Sequence, residues 1–211
     1  MSLFISSFTI GNPKCRTFDW GVPQNTYDPR ADFRDYAKQL SHNTGMSDCM
    51  KLALMIYKAG QVWGGGGADS IVGGLLSGLT EFSAIGHDGG SPSDPNFRVG
   101  VMRSDPQGNY AASFGQQGFN GSYGGGGFIN PFPDNQVRHF VGWFGAGYSV
   151  NSAYAEAALF AQEGTLRNRD PDVALGRAGI ALGDSFTGDF KKLAQDVWAQ
   201  ICGEKGALNL P

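Results

Sequence analysis

Asp134-Asn-Gln-Val-Arg-His-Phe-Val-Gly-Trp-Phe-Gly-Ala-Gly-Tyr148 is the stretch whose reading decides the fold. Val137, Phe140, Val141, Phe144 and Tyr148 recur at the spacing of one apolar face of a helix. Asp134 follows Phe132-Pro133 and is placed to cap the free N–H groups of the first turn. Arg138 and His139 fall off the apolar face. Gly142 and Ala146 lie below His139 on its stripe, so the histidine stands over a nearly bare strip of helix. That strip suits either close helix packing, with His139 making a local hydrogen bond, or approach of a ligand.

Outward from this stretch the pattern stays helical. Asp28-Pro29 opens a helix whose inner face is Phe33, Tyr36, Ala37 and Leu40, closing at His42-Asn-Thr-Gly45. A second helix runs from Ser47-Asp48 to Ala59-Gly60, with Cys49, Leu52, Ala53 and Ile56 as its stripe and glycine as its end. Gly64-Gly-Gly-Gly67 breaks the chain. The segment from Ala68 to Ile85 then reads as a helix apolar nearly all round, the pattern of a central helix. Residues 86–130 lose periodicity and hold one short strand candidate, Phe97–Met102. Beyond Asp134, Asn151–Glu163 is an alanine-rich helix. Asp170-Pro171 opens another, in which Gly176, Gly179 and Gly183 are spaced for close packing. Asp189 starts the last, with Phe190, Leu193, Ala194, Val197 and Ile201 on one side. The fold expected is mainly α: a single-domain bundle of six or seven helices with a glycine-rich central loop or small β insert. Its parts are an irregular arm over 1–27, helices over 28–85, the glycine-rich insert over 86–133 and helices over 134–203.

Composition bounds the function. The chain has 211 residues, 41% hydrophobic and 17% charged, enough for a real core. A net charge of -3 gives no basic face for nucleic acid, so none is expected as a partner. Glycine numbers 33, about twice the usual frequency, and is clustered in loops and helix contacts. No apolar run reaches the roughly 18 residues of a membrane span. The first ten residues lack a basic n-region and a cleavage site, so synthesis in the cytoplasm without a signal peptide is expected, with export through a secretion machine left open. Cys15, Cys49 and Cys202 suggest neither a disulfide framework nor a paired metal site.

Cys49 and His139 are the first candidates for chemistry. A thiol in the first turn of a helix is activated by the unpaired N–H groups and the dipole there, and needs an imidazole nearby. Asp134, Asn135 or Asp48 could orient that imidazole. Buried on the apolar stripe, Cys49 would instead be a small hydrophobe. Glu163 is a second candidate, because the negative end of its helix raises a carboxyl pKa as a general acid requires, with Asp170 or Asp172 as partner. Arg138, Gly142 and Trp143 are the candidate binding residues. His42, His87 and His139 show no metal-ligand spacing, so no metal is expected. The glycine runs lack the lysine and context of a phosphate loop, and no cofactor is expected.

Two resemblances bear on these residues. Ser47-Asp48-Cys49, with Leu52, Tyr57 and Gly60, resembles the nucleophile helix of NlpC/P60-type cysteine peptidases, although Met50 stands where that helix has a small residue. Phe132-Pro-Asp-Asn-Gln-Val-Arg-His-Phe-Val-Gly142 with Ala146-Gly-Tyr148, together with Ser47-Asp48-Cys49 and Leu52-Ala53, resembles segments of C-terminal domains appended to RHS-repeat and related polymorphic toxin proteins. The second implies an effector delivered to a competing cell, with an immunity protein or delivery machinery as partner. The function expected is a hydrolase-type effector domain using Cys49 and His139, with Asp134 orienting the imidazole. The alternatives are a non-catalytic helical interaction or structural domain, and a membrane-perturbing domain built on 68–85.

Overall fold

The computed structural model describes residues 28–80, 82–87, 99–103, 117–123, 136–163 and 171–210. The expected arm over 1–27 and the expected caps at Asp134 and Asp170 lie outside them. Seven helices appear among the described residues: α1 Pro29–Ser41, α2 Asp48–Trp63, α3 Gly67–Leu79, α4 Gln136–Val150, α5 Ser152–Glu163, α6 Pro171–Asp184 and α7 Phe190–Asp196. The mainly helical fold is therefore as the periodicities require.

Local chemistry explains where these helices start. Asp28 accepts from the Arg30 N–H at 2.9 Å, and Pro29 occupies a first-turn position where its missing N–H costs nothing. Ser47 accepts from the Met50 N–H at 3.3 Å and Asp189 from that of Lys192 at 2.9 Å. Asn151, at φ 74°, turns the chain between α4 and α5. It is a residue type that tolerates the left-handed region.

Two boundaries differ from the sequence reading. The second helix does not stop at Gly60 but runs on to Trp63. Gly60 is there because the Phe190 ring lies against it: a Cβ would fall 1.9 Å from the ring's Cγ. The helix read over Ala68–Ile85 ends at Leu79, and Phe82–His87 forms strand β1, which pairs antiparallel with β2, Val99–Arg103. Phe82 had fitted the helical stripe by spacing. Its strand partner is distant in the chain, and pairing with it overrides local periodicity. Among the described residues the small β insert is thus a two-stranded ribbon, and it begins before residue 86.

One buried cluster joins α1 through α7. Helix α3 is buried nearly all round, with Ile71, Val72, Leu75, Leu76 and Leu79 inside. Helix α2 is as central, burying even Asp48 and Lys51, which pair at 3.3 Å.

Glycine sets how close α4 and α6 come. A Cβ on Gly147 would lie 2.2 Å from the Ile180 carbonyl oxygen, and one on Gly183 2.0 Å from that of Phe144. Helix backbones in direct contact leave no room for any side chain at these positions. The last helix widens after Asp196 into a π turn over Val197–Ile201, where the Cys202 N–H donates to the Val197 carbonyl at 3.0 Å. The wider turn keeps both Val197 and Ile201 fully buried.

Candidate functional site

Cys49 lies in the first turn of α2, as its sequence position requires, but it is not a free thiol. It is bonded to Cys202, 153 residues away, with the two Cα atoms 5.6 Å apart. A disulfide sulfur has no thiolate to attack a substrate, and Cys49 has no exposed surface. Its N–H is also taken, donating to the Gln117 carbonyl at 3.0 Å. The role of nucleophile assigned to Cys49 is therefore corrected to that of a structural half-cystine. The three cysteines suggested no disulfide framework by number and spacing, and the fold pairs two of them in a single bond. Asp48, one of the residues considered for orienting His139, is engaged elsewhere. One carboxylate oxygen pairs with Lys51, and the other accepts from the Gln117 N–H at 3.1 Å.

His139 is half-buried on α4, and its Nε2 lies 2.8 Å from the backbone carbonyl oxygen of Asp172, in the first turn of α6. A carbonyl only accepts, so Nε2 carries a proton, and the neutral form of the ring has its lone pair at Nδ1. The residue orienting the imidazole is therefore Asp172, through its main chain. Asp134, expected in that role, lies outside the described residues. One turn before His139, Gln136 is 1% exposed, and its side-chain N–H donates to Asp172 Oδ1 at 2.9 Å. Gln136 and His139 thus grip the carboxylate and the carbonyl of one residue and tie the start of α4 to the start of α6.

The remaining candidates divide. Arg138 is half-buried beside His139, and Gly142 is half-buried one turn on, so the less buried side of α4 includes both. Trp143 is 8% exposed, its ring centroid 6.3 Å from that of His139 in an edge contact. It packs beside Gly176, where a Cβ would lie 3.1 Å from Trp143 Cδ1. That burial makes Trp143 a wall behind the imidazole rather than an exposed binding residue. Glu163 ends α5, and its side chain and residues 164–170 lie outside the described residues.

Gln136 was missed from sequence alone. The available signal was its place at i−3 from His139, a polar side chain next to Val137 at the start of an apolar helix. Among the described residues no group of three His, Cys, Asp or Glu could hold a metal ion. No described helix is long and apolar enough to cross a membrane. The chain matches no protein-family model, no curated protein and no solved structure.

Proposed function

We propose that the chain is a hydrolase-type effector domain in which His139, not Cys49, is the reactive side chain, and Gln136 and Asp172 are positioning residues. One observation carries this reading: the Asp172 carbonyl holds Nε2–H and leaves Nδ1 as a base on a half-buried ring. In such a site water replaces the thiol as nucleophile. Nδ1 takes a proton from the water, its oxygen bonds to the electrophilic centre, and the imidazolium returns the proton to the leaving group as that bond breaks. The resemblance of Phe132–Gly142 and Ala146–Tyr148 to segments of polymorphic toxin domains supports an effector role, with delivery machinery and an immunity protein as the partners that role entails.

A second reading, a non-catalytic helical interaction domain, is favoured by the same hydrogen bonds seen as a rivet between α4 and α6. Expression in a bacterial host, in the cytosol and with an export leader, separates the two. The expected result is growth inhibition in at least one compartment, lost in His139→Gln with the melting temperature within about two degrees of the parent. Undiminished inhibition by the variant removes His139 from the chemistry. A melting temperature lowered by many degrees, with no inhibition by the parent, leaves the rivet. A membrane-perturbing action of 68–85 would require α3 to expose Val72, Leu75 and Leu76, all now fully buried. Dye release from liposomes by the folded protein reads it directly.

A further inference from the structure

Residues 117–123 cross from one end of the disulfide to the other. At the α2 end, the Gln117 carbonyl accepts from the Cys49 N–H at 3.0 Å and the Gln117 N–H donates to Asp48 Oδ2 at 3.1 Å. Gly118, at φ 78°, lies so close to Ser47 that a Cβ would come within 2.3 Å of that side chain. At the other end, the Asn120 N–H donates to the Ile201 carbonyl at 2.8 Å, and Gly203, at φ 72°, sits beside the Asn120 side chain. Phe119, between the two ends, is buried in the core. This strap is held only if the first turn of α2 and the π turn of Val197–Ile201 stay at one separation, and the Cys49–Cys202 bond joins the two directly.

The last segment joins a partly buried π turn to a mostly exposed tail. Only α7 and the π turn separate Cys202 from Asp189, and π turns recur at functional sites. Beyond Cys202, residues 203–210 are mostly exposed. They are tied back by Gln195, whose side chain donates to the Gly206 carbonyl at 3.0 Å and accepts from the Leu208 N–H at 2.8 Å. By contrast, α4 and α6 carry neither cysteine and meet backbone to backbone, with glycine at each close approach.

We propose that the Cys49–Cys202 disulfide is a redox latch: a protein or small-molecule dithiol opens it and releases the strap 117–123 and the C-terminal segment, while the α4–α6 pair stays folded. Cys202 is 7% exposed and Cys49 not at all, so the latch is reached from the Cys202 side. The dithiol's first thiolate bonds to the Cys202 sulfur as the Cys49–Cys202 bond breaks and Cys49 leaves as thiolate. The second thiol then displaces Cys202. Cys49 and Cys202 end as thiols, having gained two electrons and two protons, and the reductant ends as its own disulfide. The latch is independent of whether His139 is catalytic.

Hydrogen exchange on the intact chain, oxidised and after dithiothreitol, tests it, with reduction confirmed by mass. The amides of Cys49, Gln117, Asn120 and Cys202 are expected to exchange about tenfold faster or more on reduction. Those of Phe140–Tyr148 and Gly176–Gly183 are expected to remain the slowest in the reduced protein, opening only with the whole fold. Cys202→Ser is expected to match the reduced protein with and without reductant. Three results each overturn the proposal: a disulfide that dithiothreitol leaves intact under native conditions, unchanged strap rates after confirmed reduction, or α4 and α6 amides exchanging as fast as those of the strap in the reduced protein. The last would also appear as failure of Cys202→Ser to fold, and would make the bond a staple for the whole chain.

Discussion

Replacing Gly183 with alanine tests the backbone contact between α4 and α6. The added methyl would lie 2.0 Å from the Phe144 carbonyl oxygen and 2.9 Å from the Tyr148 nitrogen, where ordinary contact begins near 3.4 Å. Both obstacles are main-chain atoms of α4, so no side-chain rotation relieves the clash. The helices have to separate by about 1 Å, and packing this tight resists such a shift. The movement also loosens Gly147 against Ile180 and Gly179 against Phe140, which sit on the same seam. Overpacking of this kind costs about 3 kcal/mol where backbone must shift. The better helix propensity of alanine returns about 1 kcal/mol. The net loss of about 2 kcal/mol corresponds to a melting temperature lower by roughly 4–8 °C for a chain of this size. Urea unfolding followed by circular dichroism should show the same loss as a lower midpoint with an unchanged slope. Gly65→Ala is the control, since nothing lies within 4 Å of a Cβ there. It should move stability by no more than about 0.5 kcal/mol. A Gly183→Ala protein that melts at or above the parent temperature would refute the backbone-contact account of α4 and α6.

The other predictions concern groups whose partners are specific. Reducing the disulfide, or Cys49→Ser, should lower unfolding free energy by about 2–5 kcal/mol, because a loop this long is closed in the unfolded chain. Equilibrium denaturation with and without reductant measures it, and a loss below about 1 kcal/mol would contradict the chain-entropy argument. Lys51→Met leaves the Asp48 carboxylate buried with only the Gln117 N–H, and should cost about 3–5 kcal/mol in the same assay. Burial, and then the neighbouring Tyr57, raise the Tyr36 pKa above its usual 10.0. The folded state therefore holds that proton longer than the unfolded chain. Stability is full below pH 10.0 and declines as pH rises through the folded pKa. Tyr36→Phe should flatten part of that alkaline decline in a series of melts. An identical decline in both proteins would assign it elsewhere.

Most of the helical content was legible because each helix carries its own signals. Asp28-Pro29, Ser47-Asp48 and Asp189 satisfy N–H groups within a turn of themselves, so a one-dimensional reading suffices. The stripes of Phe33–Leu40 and Phe190–Ile201, and the all-round burial of α3, follow from local spacing in the same way. Gly176, Gly179 and Gly183 could also be read as packing residues from their spacing, and the structure supplies the partner helix, α4. What tertiary structure alone decided is each pairing between distant parts of the chain. Gly60 resembled a helix end until Phe190 came to rest on it, and Phe82 resembled a helical residue until β2 lay beside it. His139 was visible as a polar residue on an apolar helix, whereas its orienting partner is a main-chain carbonyl 33 residues on, which no side-chain pattern announces. Cys49 is the sharpest case. The same first-turn position that would activate a thiol also places its sulfur beside Cys202, and covalent bonding across 153 residues is decided by where the chain folds, not by what flanks either cysteine.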